Sequence, residues 1–355
     1  MHREIYNVVG VMSGTSLDGI DLAHVQLSKT DNKWSFELLE CETVSYSPDW
    51  KALLSQLVAR TPDELADINR RYTELLAKII SGFISKHQLK IDAVCSHGHT
   101  ALHQPTNGFT LQIGNLPELA TLTNQLVVCD FRTQDVELGG QGAPLVPIGD
   151  RHLFGDFDYC LNLGGFSNIS FESAGKRIAF DISPVNTVLN HLTEKLGFDY
   201  DDRGKIAASA EVDAELLLEL NALAYYKLPF PKSLGFEFVA QTILPLIENF
   251  DSGIEDKLCT FTEHIALQTA LAMPSLSGKM LVTGGGAYND YLISRLEHYL
   301  PNIAVAVPDA KILEYKEALI FAFLGVLKLR GENNVLSSVT GAPSDHSSGV
   351  IFSND

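Results

Sequence analysis

The same order of segments occurs in both halves of this 355-residue chain. Each half contains an apolar β-type run, a turn of glycine and small polar residues, two more β-type runs, and then helical segments. The first series contains IYNVVGVM, SGTSLDGI, DLAHVQLS and WSFELLECETV, and the second contains DYCLNLGGFSNISFES and KRIAFDI. This repetition predicts a duplicated fold with a cleft between the two copies.

The length and composition favour a packed protein of two domains. A chain of this length exceeds what one hydrophobic core usually supports, and its 45% hydrophobic and 20% charged residues are ordinary for globular proteins. The formal net charge of −18 opposes binding to nucleic acid and to anionic membranes. We therefore expect a small-molecule partner and neither a nucleic acid nor a membrane, and an anionic substrate must be met by local hydrogen-bond donors.

The start of the chain and the cysteine pattern favour the cytoplasm. The sequence MHREIYNVVGVMSG lacks a charged leader followed by an apolar core and a cleavage site, and no apolar run reaches the length of a membrane span. The cysteines are widely separated and form no CxxC pair, so we expect buried, reduced thiols rather than zinc ligands or disulfides. They are Cys41, Cys95, Cys129, Cys160 and Cys259.

Helices are predicted from periodicity and capping signals. Thr61, Pro62 and Glu64 form a capping box in front of a helix that ends near Lys86. The other expected helices lie around 50–60, 183–197, 212–226, 235–249, 262–273 and 315–330. The polar tail GAPSDHSSGVIFSND is expected to be loosely ordered in part.

The segment after KRIAFDI is expected to begin a helix. Ser183 is the predicted N-cap, Pro184 the first turn and Gly197 the end. This places Asp181 at the end of a strand, directly before a helix N-terminus.

Residues 10–21, GVMSGTSLDGID, contain more polar groups than a chain reversal needs. Glycines let backbone N–H groups approach an anion, hydroxyls add donors, and a carboxylate can hold an accompanying cation. Phosphate with magnesium fits these groups. Glycine turns recur after apolar strands as SGTSLDG, NLGGFSN and TGGGAYN. Structural glycines explain any one turn as well as a ligand does, and none matches a Walker or dinucleotide-binding fingerprint.

Two strand–turn–strand segments followed by a strand–GGG–helix segment resemble the superfamily of actin, sugar kinases and related ATPases. More narrowly, the chain resembles the anhydro-N-acetylmuramic acid kinase family from about Val8 to Pro343. The most specific motifs are GVMSGTSLDGID and DFRTQDVELGGQGAPLVP. The supporting motifs are SHGHTALHQP, QIGNLPELA, NLGGFSNIS, GKIAAS, LVTGGGAYN, KEALIFAFLG and SVTGAP.

The resemblance implies an α/β fold of the two-domain actin-like (ribonuclease H-like) class, with duplicated mixed sheets flanked by helices and an interdomain cleft. Residues 1–138 with about 312–355 would form the N-terminal lobe, which carries the first phosphate loop. Residues 139–311 would form the C-terminal lobe, which carries the second phosphate loop, the catalytic aspartate and the adenosine motif. The family also suggests a homodimer.

The implied activity opens the 1,6-anhydro ring of anhydro-N-acetylmuramic acid with water and phosphorylates the freed O6 from ATP, giving N-acetylmuramic acid 6-phosphate in peptidoglycan recycling. By resemblance, Mg²⁺ accompanies ATP, and Asp18 touches it through a water. The implied nucleotide-binding residues are Ser13, Gly14, Thr15, Ser16, Leu17, Asp18, Gly19, Gly164, Gly165, Asn168, Gly284, Gly285, Gly286 and Asn289. The candidate sugar-binding residues are His97, Arg132, Asn186 and Glu317.

Hydrolysis of an internal acetal needs a carboxylate that orients and deprotonates water at C1, and Asp181 is the candidate. An aspartate of ordinary pKa, ~3.9, is already ionised near neutrality, so this role requires position more than pKa tuning.

Each candidate has a structural alternative. Asp181 could merely precede a helix, and Glu317 could merely favour a helix dipole. Asp18 and Asp21 could cap a turn, and Arg132 could be a solvated surface residue. The histidines at 97, 99 and 103 could be metal ligands, although no Cys or Glu partner clusters nearby.

The family motif FDTGP(A/G)N is replaced here by FDISPVN, in which Ile182 stands for a hydroxyl residue and Ser183 for a glycine. SHGHT and GNLPEL also depart from the usual runs. These changes leave open a kinase for a related anhydro sugar and a nucleotide-dependent wall-sugar sensor without turnover. An actin-like assembly protein is a third alternative.

Overall fold

The computed structural model describes residues 3–14 and 16–354. The chain divides into two compact units: the first ends at Leu153 and resumes at Tyr315, and the second is Phe154–Glu314. The chain leaves the first unit after Leu153 rather than near residue 138. The helix Val146–Leu153 still packs on the first unit, where Gly149 lies against Ile320.

Twelve strands are found in the described part of the chain and are numbered along it. Those of the first unit are β1 (Ile5–Ser13), β2 (Gly19–Thr30), β3 (Lys33–Ser45), β4 (Ala93–Gln104), β5 (Phe109–Ile113), β6 (Val127–Cys129) and β12 (Val350–Phe352). Those of the second unit are β7 (Tyr159–Leu163), β8 (Phe166–Ser173), β9 (Lys176–Pro184), β10 (Gly278–Thr283) and β11 (Ile303–Ala306).

The two sheets share one strand order. The first runs β3-β2-β1-β4-β6-β12, with β5 paired to β4, and the second runs β9-β8-β7-β10-β11. In each sheet, three consecutive strands pair antiparallel: β1 with β2 and β3 in the first sheet, and β7 with β8 and β9 in the second. Two further strands continue the sheet in parallel from the first of these: β4 and β6 beside β1, and β10 and β11 beside β7. The predicted α/β fold with duplicated mixed sheets is therefore confirmed within each unit.

The helices flank these sheets. They are α1 (Pro48–Leu54), α2 (Pro62–Lys86), α3 (Glu118–Thr123), α4 (Thr133–Glu137), α5 (Val146–Leu153), α6 (Asn186–Glu194), α7 (Lys205–Ala208), α8 (Ala214–Ala222), α9 (Phe236–Phe238), α10 (Leu244–Glu248), α11 (Ile254–Leu271), α12 (Asp290–Tyr299), α13 (Ala310–Leu329) and α14 (Ser337–Thr340). No helix in the described residues is long and apolar enough to cross a bilayer.

Helix α2 has the predicted boundaries because its start signal is local. The backbone N–H of Thr61 donates to the Glu64 carboxylate at 2.8 Å, and the Thr61 hydroxyl accepts from the Glu64 N–H at 3.4 Å. Its buried side chains, among them Ile68 and Phe83, follow the helical period and pack on the first sheet.

The predicted helix start at Ser183 is wrong. Ser183 and Pro184 are the last residues of β9, and the N-cap is Val185, whose side chain caps nothing. The Ser167 hydroxyl accepts the Ser183 N–H at 3.1 Å, and this pairing extends the strand. Asp181 consequently lies inside β9 rather than at its end.

Other expectations also differ from the structure. Helix α11 begins at Ile254 rather than near 262, and its two faces are buried along most of its length, which weakens the amphipathic signal. The tail is not simply a loose end, because β12 pairs antiparallel with β6. Buried Asn334 anchors the tail by donating to the Ser348 carbonyl at 2.9 Å.

The cysteines are reduced, as expected, and four of them are buried, whereas Cys41 is half-buried. Glycines bring α13 close to the first sheet. A Cβ at Gly10 would lie 1.9 Å from the Ala318 carbonyl oxygen, and one at Gly325 would lie 2.2 Å from the Cys95 sulfur. The motif KEALIFAFLG thus packs directly against β1 and β4.

Candidate active site

The first glycine turn joins β1 to β2. Leu17 has a positive φ of 61°, an unusual conformation for a non-glycine residue that often marks a functional turn. Gly19 is required sterically, because a Cβ there would lie 2.7 Å from the Val44 carbonyl oxygen. Ser16 and Asp18 are exposed, Gly14 is half-buried, and Thr15 lies outside the described residues.

Ser13 is the buried end of this turn. Its hydroxyl bonds to Nδ1 of His99 at 2.9 Å and to the Tyr46 hydroxyl at 2.5 Å, and Tyr46 bonds to the Tyr72 hydroxyl at 2.6 Å. Burial lowers the pKa of His99 to about 4, so its ring is neutral at neutral pH. Because this network occupies the Ser13 side chain, Ser13 fixes the base of the turn from below.

His97 and Arg132 are brought together as a pair. Nε of Arg132 donates to Nε2 of His97 at 2.8 Å, and its Nη1 donates to the Gly142 carbonyl at 2.6 Å. Burial and then the Arg132 charge hold the pKa of His97 well below its usual range. A neutral His97 with Nε2 as acceptor therefore orients the guanidinium.

Asp135 fixes the loop that holds Arg132. Its carboxylate is fully buried and accepts the Gly142 N–H at 2.6 Å and the Thr340 hydroxyl at 2.8 Å. Gly140 must be glycine, because a Cβ there would lie 2.2 Å from this carboxylate. The motif DFRTQDVELGGQGAPLVP thus shapes a support for one arginine.

Glu317 lies on α13, and its side chain reaches solvent although neighbouring protein surrounds it. Displacement of water by surrounding protein raises its pKa, and the charges of Arg132 and Lys316 oppose that rise. Buried Lys316 itself pairs with Asp150 at 2.8 Å. Glu317 and Arg132 are therefore an electrostatically linked pair of opposite charge in the first unit.

The histidines at 97, 99 and 103 do not converge on a common metal site. His97 bonds to Arg132, His99 to Ser13, and His103 to the Thr110 hydroxyl at 3.0 Å. No group of three or more His, Cys, Asp or Glu side chains suited to a metal is found in residues 3–14 and 16–354.

In the second unit, both glycine turns approach the first residue of α6. The Asn186 N–H donates to the Gly164 carbonyl at 3.2 Å, and the Val185 N–H donates to the Gly165 carbonyl at 2.8 Å. A Cβ at Gly285 would lie 3.5 Å from Nδ2 of Asn186. Asn186, which we expected on the sugar, thus lies beside the two turns expected to hold the nucleotide.

The turn Gly284–Gly286 is closely packed except at its centre. Gly284 has a φ of 84°, and a Cβ there would lie 2.6 Å from Oδ1 of Asn162. Gly286 is buried, whereas Gly285 is exposed and able to meet a ligand. Asn289 is buried and caps α12, since its side chain accepts the Leu292 N–H at 2.9 Å.

A polar row crosses the second sheet at Asp181. Register pairs Asn162 with Asn168 and Asn168 with Asp181, so the three side chains share one face. Asn168 is exposed. The row connects the end of β7, where the Gly164 turn begins, with the candidate base.

Asp181 is held from a neighbouring loop. Its Oδ2 accepts the Leu234 N–H at 2.9 Å, its N–H donates to the Lys232 carbonyl at 3.0 Å, and its carbonyl accepts the Tyr225 hydroxyl at 2.6 Å. Burial raises the pKa of the carboxyl, and the Leu234 bond opposes that rise. In the described part of the chain, Oδ1 accepts no hydrogen bond and is left for a ligand or water.

Several supporting residues were not identified from the sequence. Tyr46, Tyr225 and Leu234 each hold a candidate residue through a contact distant along the chain. Asp135 holds the Gly142 loop that supports Arg132, and Asn162 lies against Gly284. Only Asn162 and Asp135 lie in quoted motifs, and they could have been found there as the remaining polar residues of those motifs.

The whole chain matches one protein family. The sequence model described as anhydro-N-acetylmuramic acid kinase matches residues 6–354. The chain is 36% identical to the anhydro-N-acetylmuramic acid kinase of Pseudomonas fluorescens (strain Pf0-1), covering 98% of this chain and 99% of the relative. It is 35% identical to the protein of that name from Vibrio cholerae serotype O1, covering 99% and 98%.

Among solved structures, (R)-2-hydroxyglutaryl-CoA dehydratase component A of Acidaminococcus fermentans matches with a TM-score of 0.46 and 13% identity, over 92% of this chain and 99% of that chain. That likeness is too low to bear on function. The near-complete coverage by the family and its relatives decides the assignment: the chain belongs to the anhydro-N-acetylmuramic acid kinase family.

Proposed function

We propose that this chain is a sugar kinase that opens the 1,6-anhydro ring of anhydro-N-acetylmuramic acid with water and transfers the γ-phosphoryl group of ATP to O6. The observation that carries the proposal is the environment of Asp181. One carboxylate oxygen is fixed by the Leu234 N–H, and the other has no protein hydrogen bond in the described residues. A carboxylate held in this way can orient one water and take its proton.

The reaction balances without an external acid or reductant. The water oxygen bonds to C1 and gives a proton to Asp181 while the bond between C1 and O6 breaks. O6 leaves with the electron pair of that bond and attacks the γ-phosphorus of ATP, and ADP departs. The product is heavier than the sugar by one water and one phosphoryl group, and Asp181 returns its proton to solvent.

Burial of Asp181 supports the role of base. A raised pKa makes its carboxylate a stronger proton acceptor, while the Leu234 bond favours the ionised form and opposes the rise. The alternative of a helix-initiating carboxylate loses its basis, because Asp181 lies within β9.

We propose that ATP is held by the turns Ser13–Gly19, Gly164–Gly165 and Gly284–Gly286, with Asn168 and Asn289 beside them. Exposed Gly285 suits a contact between its backbone and a phosphate oxygen, and the first turn is closed by the Leu17 N–H, which donates to the Gly14 carbonyl at 3.4 Å. Exposed Asp18 suits a contact with Mg²⁺ through water, since Mg²⁺ usually keeps several waters and binds few protein carboxylates. Bound Mg²⁺ would neutralise phosphate charge during transfer.

We propose that Arg132 and Glu317 bind the sugar, with Arg132 facing the lactyl carboxylate, and that His97 acts through Arg132, because both of its ring nitrogens are already hydrogen-bonded. Two of the Arg132 nitrogens are bonded to His97 and Gly142, which leaves Nη2 directed by a fixed guanidinium plane. Asn186 would contact the sugar where O6 meets the phosphate, because it lies beside the glycine turns. We also propose a homodimer in the cytoplasm.

The test uses purified protein, MgATP and anhydro-N-acetylmuramic acid in ¹⁸O-labelled water. We expect a 6-phosphate with one labelled oxygen, located at C1, and ADP in equal amount. Product without the water oxygen contradicts ring opening. Saturable sugar binding without ADP supports the sensor alternative, and faster turnover of another anhydro or ordinary amino sugar in the same assay identifies a different substrate.

A further inference from the structure

A cavity of about 370 Å³ lies in the second unit, on the side of β9 opposite to the Asp181 side chain. Phe180 and Ile182, the neighbours of Asp181, line it. Side chains alternate along a regular strand, so the Phe180 side chain lies on the face opposite to Asp181, while Ile182 is the extra residue where the pairing with β8 shifts register. The cavity is therefore separate from the polar row that carries the candidate base.

The cavity combines apolar walls with positive charge. The rings of Phe180 and Phe230 stack at 5.2 Å, and Met273 adds a further apolar wall. Lys227 and Lys232 are the charged residues among the described residues that line it. Two cations beside aromatic walls suit a small anion with an apolar body, and the pair stands out in a chain with a net charge of −18.

A fixed amide adds a donor to this lining. Oδ1 of Asn221 is within 2.7 Å of both His264 Nδ1 and Gln268 Nε2. His264 is fully buried, and burial lowers its pKa to about 3, so the ring is neutral; with Oδ1 of Asn221 facing it as acceptor, Nδ1 carries the hydrogen. Two donors on Oδ1 settle the amide orientation, and Nδ2 of Asn221 donates to no described protein group.

The cavity wall is the segment that holds Asp181. Within residues 225–234, Tyr226, Lys227, Phe230 and Lys232 line the cavity. The same segment contributes the Tyr225 hydroxyl, the Lys232 carbonyl and the Leu234 N–H to Asp181. A ligand that binds the cavity as it is formed here stabilises the conformation in which all three bonds to Asp181 exist.

We propose that this cavity binds small amphipathic carboxylates and that their binding stabilises the 225–234 segment around Asp181. The apolar body packs between Phe230 and Met273, and the carboxylate meets Lys227 and the Nδ2 group of Asn221. The Lys232 ammonium, which donates to the Tyr225 carbonyl at 3.3 Å, adds positive charge at the wall. The consequence for turnover rests on the proposed function of Asp181. The binding itself does not.

Methionine-methyl NMR tests the site directly, because the chain has only four methionines. We expect phenylacetate to shift the Met273 methyl signal saturably and to leave that of Met12, in β1, unchanged. Met273→Leu assigns the signal. Phenylacetamide, which has the same ring and no charge, and Lys227→Met should each weaken binding about tenfold, while Lys176→Met, an exposed lysine elsewhere in the unit, should not.

Hydrogen exchange tests the coupling without relying on catalysis. Saturating phenylacetate should slow exchange of peptides that contain Leu234 at least about twofold.

Equal binding of the amide, unchanged binding in Lys227→Met, or no millimolar binding overturns the site. Binding without slower exchange overturns the coupling, and a Met273 signal that moves with protein concentration instead of ligand shows that a second copy covers the cavity and overturns the proposal. If binding and slower exchange occur but the labelled-water assay gives no product, the proposed function fails and the site stands.

Discussion

The backbone N–H of Leu234 donates a 2.9 Å hydrogen bond to Oδ2 of Asp181 across a separation of 53 residues. This bond turns an otherwise mobile carboxylate into a fixed acceptor with one oxygen left over. Because the donor is a backbone group, substitution of the Leu234 side chain does not remove it, and the loop conformation alone determines the position of the base.

Asp181→Asn should reduce turnover at least about 1,000-fold, because an amide cannot take the proton of the attacking water. Binding of a non-hydrolysable ATP analogue should stay within about twofold, as measured by calorimetry. The matched control is Asp199→Asn, which removes an exposed carboxylate of the same unit and should leave turnover unchanged. Near-normal turnover in Asp181→Asn rejects Asp181 as the base.

The same base sets an acidic limb in the pH profile. Burial raises the pKa of Asp181 above its ordinary value of 3.8, so kcat should fall as the pH decreases through the raised pKa and be constant above it. Rate measurements between about pH 4 and 8 test this. If the residual activity of Asp181→Asn shows the same acidic decrease in kcat, the decrease belongs to a group other than Asp181.

Arg132→Lys should lower kcat/KM for the sugar about 100-fold, because one ammonium cannot reach both His97 and Gly142 and still present a planar donor pair. The KM for ATP should change little. Arg203→Lys, at an exposed ion pair with Asp290, is the control and should behave as wild type. A larger effect on ATP than on sugar would place Arg132 at the nucleotide instead.

Asp135→Asn should lower the free energy of unfolding by about 1–2 kcal/mol, because the amide can accept only one of the two hydrogen bonds that the carboxylate accepts. Its oxygen would keep the Gly142 N–H, and the Thr340 hydroxyl would have to turn away from its present bond and accept from the amide nitrogen. Urea titration measures this loss. The KM for the sugar should also rise, since the Gly142 carbonyl supports Arg132. Glu137→Gln, exposed on the same helix, should change neither quantity, and equal stability in both variants contradicts the role of Asp135.

His264→Gln should change how stability depends on pH. In wild type, burial lowers the His264 pKa to about 3 from 6.5, so the unfolded chain binds a proton in this range that the folded chain does not. The free energy of unfolding therefore falls as the pH drops below 6.5, by up to about 1.4 kcal/mol per pH unit from this residue.

Urea titrations of wild type and His264→Gln between about pH 5 and 6.5 isolate this contribution. In His264→Gln, the dependence of the free energy of unfolding on pH should be smaller by the contribution of one proton. His298→Gln, at an exposed ring of α12, should keep the wild-type slope. Parallel slopes in all three proteins contradict a neutral, buried His264.

Two glycine substitutions should act in opposite directions. Gly10→Ala would place a Cβ 1.9 Å from the Ala318 carbonyl oxygen, so we expect α13 to shift and stability to fall by at least about 3 kcal/mol. Gly82→Ala meets nothing within 4 Å on α2 and should raise stability by about 0.5–1 kcal/mol. Thermal unfolding of both variants measures the contrast, and equal effects refute the close contact at Gly10.

Features that depend on neighbours in sequence were predictable. The start of α2 follows from a capping box whose partners are three residues apart, and its period identifies the buried face. The repeated strand–turn–strand plan predicted a duplicated fold, the family resemblance implied its two mixed sheets, and the motifs along the chain were sufficient to identify the family. The candidate residues Asp181 and Arg132 could also be identified from the sequence, because they lie in the motifs FDISPVN and DFRTQDVELGGQGAPLVP.

Features that depend on distant partners were not predictable. The expected N-cap at Ser183 fails because pairing with Ser167 on β8 extends β9 past the local helix signal. The tail strand β12 forms only because β6 leaves an edge to pair with. Asp135 looked like one acidic residue among several until Thr340, 205 residues away, came within 2.8 Å.

The sequence by itself therefore determined the repeated architecture, the family and the set of reactive residue types, since capping, periodicity and motif spacing are properties of short segments. Tertiary structure alone decided which of these residues are held in place and which groups contact them. Leu234 reaches Asp181, Gly142 reaches Arg132, and Asn186 reaches the glycine turns only after the chain has folded. The physical reason is that hydrogen bonds act over about 3 Å, a distance that long-range packing sets and local sequence does not encode.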